Sequence, residues 1–227
     1  MTKDKTEILT VMFVDMVDYT KTTSKLDRER FHKLHDVFDN HVSGVVGNYT
    51  GKIIKKLGDA FLITFKSSTE AVLCGKALQI EFQNYNRTAE DYPIKIRVAI
   101  HAGEVVYRYG DIYGDVVNLT SRIESIVKEG DVVFSELVYS SMNKNEVMHK
   151  YIGKFQFKGA DKPLNLFKIK TEEDFIREKR IIKKRKIKKM KKKLRFFSTR
   201  IIGLALSALI LYLILINLDS IISFLSF

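Results

Sequence analysis

Two carboxylates near the N-terminus lie at the ends of apolar strands. Asp15 ends an almost unbroken apolar run over residues 8–14, whose β-branched side chains indicate a buried strand. Asp59 lies at the turn of a predicted hairpin over residues 51–66. Taken singly, the first could cap a helix and the second could be an ordinary turn residue. Together they provide the oxygen ligands that Mg²⁺ uses when it bridges phosphates, so the pair favours metal binding.

A second candidate site combines an amide with a guanidinium. Asn118 and Arg122 are four residues apart, so on a helix they share one face, and the preceding Gly114-Asp115 is a plausible helix start. Alone, such a pair is typical of a solvated helix surface. Lys158, beside a glycine on the last predicted hairpin, would by itself be read as a surface lysine.

Three segments together resemble the active-site segments of the class III nucleotidyl cyclases, which make cyclic AMP or cyclic GMP from the triphosphate. They are residues 13–20, 55–62 and 111–122. Their order and separation match the family as well as their residue types do. The resemblance extends over roughly residues 8–170. It implies a catalytic domain that carries out two-metal catalysis.

The resemblance implies two Mg²⁺ or Mn²⁺ ions in each active site, both bridged by Asp15 and Asp59. One ion would activate the ribose 3′-hydroxyl, and the other would hold the β- and γ-phosphates. Met16 would supply a metal-binding carbonyl, and the peptide groups up to Thr20 would bind the phosphates. The chain departs from the family at Asp18, where glycine is usual. A negative charge there is unfavourable beside a triphosphate unless its side chain points outward.

The resemblance also assigns roles to the other candidates. Asn118 would orient the ribose, Arg122 would neutralise charge on the α-phosphate, and Lys158 would contact the triphosphate. Lys55 and Asp111 correspond to the pair that reads the purine. A lysine with an aspartate is the adenine combination, which predicts ATP as the substrate. Two neighbouring lysines leave a solvated basic strand face as the alternative for Lys55 alone.

In such cyclases the metal carboxylates come from one subunit and the base-reading and transition-state residues come from the other. The chain is therefore expected to act as a symmetric homodimer with two complete sites. A guanylate cyclase would differ mainly at positions 55 and 111. A diguanylate cyclase would carry a different hairpin motif and would leave the Asn/Arg helix unexplained. A catalytically silent membrane-tethered sensor should have lost metal or transition-state residues, and none is lost here.

The positive charge of the chain is confined to one segment. The formal net charge is +12, but residues 176–200 hold 14 Lys and Arg against one Glu. The rest of the chain is nearly neutral, which argues against nucleic-acid binding by the catalytic domain. This basic segment predicts attraction to anionic lipid.

An uncharged apolar stretch follows the basic segment. Residues 201–218 carry no charge, and 18 helical residues span about 27 Å, close to a hydrocarbon core. A C-terminal position is not that of a secretory signal peptide. The basic flank places the catalytic domain in the cytoplasm by the positive-inside rule. The predicted parts are a catalytic domain, a polybasic juxtamembrane segment, and a transmembrane helix with a short tail: residues 1–170, 171–200 and 201–227.

The predicted fold class is α+β, a ferredoxin-like, palm-type antiparallel sheet with helices, followed by the C-terminal transmembrane helix. The expected elements are a strand over 8–15, a helix over 27–47, the hairpin over 51–66, a helix that starts at a Ser67–Glu70 capping box, a strand over 94–101 with its partner at 103–107, a helix over 114–128 and a hairpin over 151–170.

The remaining residues with reactive side chains give no further site. Cys74 has apolar flanks and is expected in the core, with no disulfide framework implied. His32, His35 and His41 share the first long helix, but no cysteine or acidic ligand stands near them at metal spacing. They are interpreted as surface or packing residues.

Overall fold

The computed structural model describes residues 5–89 and 92–225, except the side chains of residues 193, 196, 199 and 216–225. The chain divides into two compact units, residues 1–171 and 172–227. The first begins with β1 (Lys5–Met16), α1 (Tyr19–Thr23), α2 (Arg28–Asn48), β2 (Lys52–Leu57), β3 (Ala60–Phe65), α3 (Ser68–Thr88) and β4 (Ile96–Arg108). It continues with β5 (Asp111–Tyr113), α4 (Asp115–Glu124), β6 (Val132–Ser135), α5 (Glu136–Ser141), β7 (His149–Phe155) and β8 (Leu164–Ile169).

The apolar run at the N-terminus forms the central strand β1. Its side chains alternate between two buried clusters, because successive residues of a strand point to opposite faces of the sheet. Met12 and Val14 pack with α2 and α3. Val11 and Phe13 pack on the opposite face, in the cluster that contains Val116 of α4. Residues 9–16 of the strand are therefore covered on both faces, which explains why only Thr10 and Asp15 are polar in that stretch.

The first four strands lie in the order β2-β3-β1-β4, and each neighbouring pair is antiparallel. This is the predicted β-α-β-β-α-β ferredoxin-like unit. The sheet as a whole is mixed, since β6 pairs with β4 in parallel and extends the sheet through β8 to β7. The expectation of a purely antiparallel sheet is wrong at that pair. The reason is the crossover through α4, which returns the chain in the direction of β4.

The strand predicted over residues 94–101 and its partner over 103–107 are one continuous strand, β4. The chain reverses instead at Tyr109 and Gly110, whose φ angles of 52° and 79° both lie in the left-handed region. Such a two-residue turn matches the twist of the paired strands and places β5 against β4. Gly103 was the misleading signal: it lies within the strand, where a Cβ would contact Val116 of α4.

Helices α2 and α3 each begin after a capping residue of a type that is common at helix N-termini. The side chain of Asp27 accepts from Arg30 N at 2.9 Å at the start of α2. Ser67 accepts from Glu70 N at 3.3 Å at the start of α3, where the capping box was predicted. Each contact satisfies a backbone donor that the first helical turn leaves unpaired. Cys74 is fully buried in α3, as expected for a core residue.

The second unit is a single helix, α6 (Glu172–Leu225), of 54 residues. Its described apolar side chains from Ile201 onward are exposed. Within the described part of the chain, no helix is both long and apolar enough to pass through a bilayer. Residues 216–218, the end of the predicted span, have side chains that lie outside the described set.

Candidate active site

The two predicted metal carboxylates lie at the same edge of the sheet. Asp15 is the penultimate residue of β1 and pairs in register with Ala60, the first residue of β3. Met16 N donates to the carbonyl oxygen of Asp59 at 3.2 Å, so the end of β1 is fastened to the hairpin turn. Asp15 is only 7% exposed, whereas Asp59 is half-buried. Strand pairing thus brings together residues that are far apart in sequence.

Two residues that sequence reasoning missed complete this cluster. Arg97 on β4 is the register partner of Asp15, and its Nε donates to Asp15 Oδ2 at 2.8 Å. Its Nη2 lies 2.6 Å from the same oxygen. Glu124 of α4 forms an ion pair with the same guanidinium, between its buried Oε1 and Arg97 Nε. We call Asp15, Asp59, Arg97 and Glu124 the carboxylate cluster. The signal for Arg97 was an arginine between Ile96 and Val98, where a buried strand was predicted.

The carboxylate cluster contains more negative charge than its one guanidinium neutralises. Burial raises the pKa of Asp15, although the Arg97 guanidinium opposes that rise. Burial and the neighbouring Asp15 carboxylate raise the pKa of Glu124 to about 7. Both shifts mean that the ionised forms are disfavoured, chiefly because burial removes them from water and one guanidinium does not offset that loss. A cation bound beside Asp15 would correct this deficit.

The donor set suits a divalent cation held jointly with a ligand. Among the described residues, no three His, Cys, Asp or Glu side chains form a complete metal site. Mg²⁺ seldom needs a site built from protein side chains alone, because it is commonly bound through one or two carboxylates together with substrate phosphates and water. Asp15 and Asp59, with the Met16 carbonyl, would hold such an ion, and Glu124 places a further carboxylate beside Asp15. The residues present fit the metal.

The turn after β1 explains the residue that departs from the family. Asp18 is the N-cap of α1 and has φ 57° and ψ 27°, a left-handed conformation in which glycine carries no steric penalty. Aspartate is among the few other residues that tolerate it. The Asp18 side chain is exposed to solvent and makes no cap hydrogen bond. Thr20, the predicted phosphate-binding residue, is also exposed, in α1.

The predicted base-reading residues meet within one chain. Lys55 Nζ of β2 donates to Asp111 Oδ2 of β5 at 2.5 Å. The Lys55 contact is the main reason why the pKa of Asp111 is lowered, and the Ile112 N–H contributes by donating to Oδ1 at 2.8 Å. The carboxylate is therefore ionised and aimed at a donor. This geometry presents one donor and one acceptor side by side.

The remaining predicted residues lie on α4 and on the loop between β7 and β8. Asn118 is exposed and Arg122 is half-buried. A Cβ placed on Gly159, which has φ +76°, would lie 2.7 Å from Arg122 Nη1. The loop that carries the exposed Lys158 therefore passes directly against the Arg122 guanidinium. We call Asn118, Arg122 and Lys158 the α4 group.

Glu124 of the carboxylate cluster and Asn118 of the α4 group lie on different sides of helix α4. Glu124 faces Arg97 and Asp15, whereas Asn118 is in solvent. Within residues 5–89 and 92–225, no hydrogen bond or ion pair joins Asp15 or Asp59 to a member of the α4 group. One chain therefore carries two separate groups of predicted site residues, each with part of the expected chemistry.

A palm-type sheet with paired aspartates at one edge and an Asn/Arg helix beside it defines the class of nucleotidyl cyclase domains. The model of the adenylate and guanylate cyclase catalytic domain matches residues 1–171. The chain belongs to this class III cyclase family. Members of the family generally use divalent metal ions.

Named relatives share only part of their length with this chain. An adenylate cyclase of Streptomyces coelicolor is 31% identical over 126 residues, which are 55% of this chain and 32% of the relative. A serine/threonine-protein kinase, pkn2 of Myxococcus xanthus, is 30% identical over 165 residues, or 72% of this chain and 20% of the relative. The chain thus spans about a third or less of these proteins.

Solved structures share the fold. The adenylyl cyclase CyaB from P. aeruginosa superposes with a TM-score of 0.64 at 23% identity, covering 75% of this chain and 97% of that one. The catalytic core of a rhodopsin-guanylyl cyclase with converted specificity, in complex with ATPαS, gives a TM-score of 0.69 at 21% identity, covering 74% and 99%. At these identities the likeness supports the fold and leaves the base unassigned.

Proposed function

We propose that the chain is an adenylate cyclase that converts ATP to 3′,5′-cyclic AMP and pyrophosphate at a homodimer interface. The observation that carries the choice of base is the contact between Lys55 and Asp111 at 2.5 Å. Adenine presents a ring acceptor beside an exocyclic amine donor. Lys55 can donate to the first and Asp111 can accept from the second, whereas guanine presents the reverse pattern.

The chain's own residues would bind and orient the triphosphate. Arg122 and Lys158 would lie against its oxygens and neutralise charge that grows on the α-phosphate and the leaving pyrophosphate. Asn118 would hold the ribose so that its 3′-oxygen faces the α-phosphorus. Asp15 and Asp59 would hold divalent cations, which lower the pKa of the 3′-hydroxyl and bind the leaving group.

Dimerisation is supported by the separation of the two groups of predicted site residues. The carboxylate cluster and the α4 group make no polar contact with each other in the described chain. A two-fold axis would place the cluster of each copy opposite the α4 group and the base-reading pair of the other. Such an isologous dimer contains two complete sites, and a monomer would contain none.

Guanylate cyclase activity is the second candidate, because guanylyl cyclases are among the similar solved structures. The test is cyclic nucleotide formation by the purified full-length protein, with ATP or GTP and with Mg²⁺ or Mn²⁺. We expect kcat/KM for ATP to exceed that for GTP by at least about 10-fold. A preference for GTP would overturn the choice of base. No product from either triphosphate would instead support a silent sensor module.

We also propose that α6 attaches the enzyme to a membrane, with residues 201–218 inserted and the catalytic unit in the cytoplasm. The support is sequence chemistry: this stretch has no charge, and basic residues flank its N-terminal end. Residues 176–200 would add attraction to anionic lipid. Full-length protein in membranes should resist extraction by high salt and require detergent. Release by salt alone would refute the insertion.

A further inference from the structure

A chain of polar contacts lies beside the carboxylate cluster and has no role in the proposed chemistry. Tyr19 Oη is 2.9 Å from His35 Nε2. Lys56 Nζ is 3.0 Å from His35 Nδ1 and donates to Asp39 Oδ1 at 2.5 Å. All four side chains are half-buried. The imidazole of α2 thus touches α1 on one side and β2 on the other.

The partners of His35 determine where its proton lies. An ammonium group has three donors and no acceptor, so the nitrogen that faces Lys56 must offer a lone pair. His35 Nδ1 is therefore unprotonated, and Nε2 carries the hydrogen and donates to the Tyr19 oxygen. The ring is neutral in this arrangement. A proton added at Nδ1 would point at the Lys56 ammonium across 3.0 Å.

The two contacts of His35 reach both segments that carry the predicted metal ligands. Tyr19 is the first residue of α1 and follows Met16 by three positions. Lys56 precedes Asp59 by three positions on the hairpin. The imidazole consequently links the turn after β1 to the β2–β3 hairpin from the α2 side. The backbone contact from Met16 N to Asp59 O joins the same two segments directly.

We propose that neutral His35 is a positioning residue that ties α1 to β2 and so holds the two metal-binding segments in register, and that protonation of His35 releases this tie. The inference rests on the proposed function for its link to catalysis. It makes a separate statement about metal affinity, because the geometry of Asp15 and Asp59 depends on the same two segments.

The electrostatic surroundings of His35 agree with a neutral ring. Burial lowers the pKa of His35, and the Lys56 ammonium lowers it further. The carboxylates of Asp39, Asp59 and Asp36 oppose this, and Tyr19 adds no charge at neutral pH. Because the unfolded chain takes up the proton more readily, the stability from neutral His35 is present above about pH 6.5. It is lost as the pH falls through the lower folded pKa.

The first test measures the affinity of the nucleotide-free, full-length protein for Mn²⁺ by electron paramagnetic resonance at pH 7.5 and 5.5. His35→Gln keeps an acceptor and a donor but cannot ionise, and His35→Phe removes both. His32→Gln is the matched control, since His32 is exposed one turn earlier on α2. Glu124, whose pKa is raised to about 7, takes up a proton over this pH range in every variant, so the comparison between variants carries the result.

We expect His35→Phe to weaken Mn²⁺ binding about 10-fold at pH 7.5. His35→Gln should bind nearly as the wild type does at pH 7.5 and lose less affinity at pH 5.5 than the wild type or the control. Unchanged affinity in His35→Phe, or an equal pH response in His35→Gln and the wild type, would overturn the proposal.

A second test reads the ring directly by ¹⁵N NMR of histidine-labelled, full-length protein. At pH 7 the His35 signals should be those of a neutral Nε2–H tautomer, with protonation only below pH 6.5. A charged ring or an Nδ1–H tautomer at pH 7 would refute the arrangement. If both tests succeed while the wild type makes no cyclic nucleotide, the proposed function fails and the positioning of the metal segments by His35 stands.

Discussion

The carboxylate cluster and the α4 group show two ways of preparing charge for a ligand. In the cluster, the buried Asp15 and the half-buried Glu124 share the Arg97 guanidinium within one chain. In the α4 group, Asn118 and Lys158 remain exposed to solvent. Buried carboxylates need a counter-charge at all times because desolvation is costly. Exposed residues need none, because water solvates them until a ligand binds.

Because of this difference in burial, we expect mutations in the two groups to affect stability and activity differently. Removing a member of the carboxylate cluster changes the balance of buried charge, so folding and metal affinity should both respond. Removing a member of the α4 group should change activity while the fold and the metal affinity remain. Four changes test this contrast, in order of decreasing expected effect.

Asp15→Asn should have the largest effect on turnover. It keeps the volume of the side chain but removes the charge that would bridge the cations, so we expect cyclase activity to fall about 100-fold or more. Mn²⁺ affinity should fall with it. Asp36→Asn, an exposed aspartate on α2, is the matched control and should retain wild-type activity. Turnover near the wild-type level in Asp15→Asn would remove this residue from the metal site.

Mixing Asp15→Asn with Arg122→Ala chains should restore activity that neither variant has alone. Random pairing makes half of the dimers mixed, each with one intact site, so recovery should approach about a quarter of wild-type activity. Arg122→Ala alone should bind Mn²⁺ as the wild type does. The measurement is cyclic nucleotide formation after co-expression, with mixed dimers verified by two affinity tags. A verified mixture as inactive as its parents would contradict the shared site.

The predicted base-reading pair, Lys55 and Asp111, should give an intermediate effect. Lys55→Glu with Asp111→Cys reverses the donor and acceptor, and mismatched buried polar groups cost about 1–3 kcal/mol each. We expect kcat/KM for ATP to fall about 10- to 100-fold and the ratio for GTP to ATP to rise. An unchanged preference for ATP would mean that other residues read the purine.

Gly159→Ala should have the smallest effect, confined to the α4 group. Its φ of +76° strains an alanine, and the new Cβ would meet Arg122 Nη1. Gly130→Ala is a close control, because Gly130 has the same φ and no neighbour within 4 Å of a Cβ. We expect kcat to fall several-fold more in Gly159→Ala, with similar melting temperatures for both. Equal kcat in the two variants would show that Arg122 moves aside without consequence.

The sequence predicted the central unit well because its signals are local. The apolar run before Asp15 and the caps at Asp27 and Ser67 each act within a few residues. The prediction of the turn that ends β4 was wrong, because Gly103 resembles a turn residue and Tyr109 does not. Two left-handed residues in succession are hard to predict when one of them is tyrosine.

Contacts between residues far apart in the sequence could not be predicted from the sequence alone. Arg97 meets Asp15 only through the register of β1 and β4, and its contact with Glu124 depends on how α4 packs. The interactions of His35 with Tyr19 and Lys56 likewise require three elements to meet. Lys55 and Asp111 were paired through the family resemblance, and the structure brings them into contact.

The unbroken helix α6 sets a length scale for any role at a membrane. Its 54 residues extend about 80 Å, and residues 176–200 alone extend about 37 Å. Lipid surface charge acts over only about 8–10 Å near physiological ionic strength. If residues 201–218 cross a bilayer perpendicular to its plane, only the last one or two helical turns of residues 176–200 lie close enough to be attracted by the lipid charge. Attraction along the whole run therefore requires a bend in α6, and a straight helix leaves most of its positive charge in solvent.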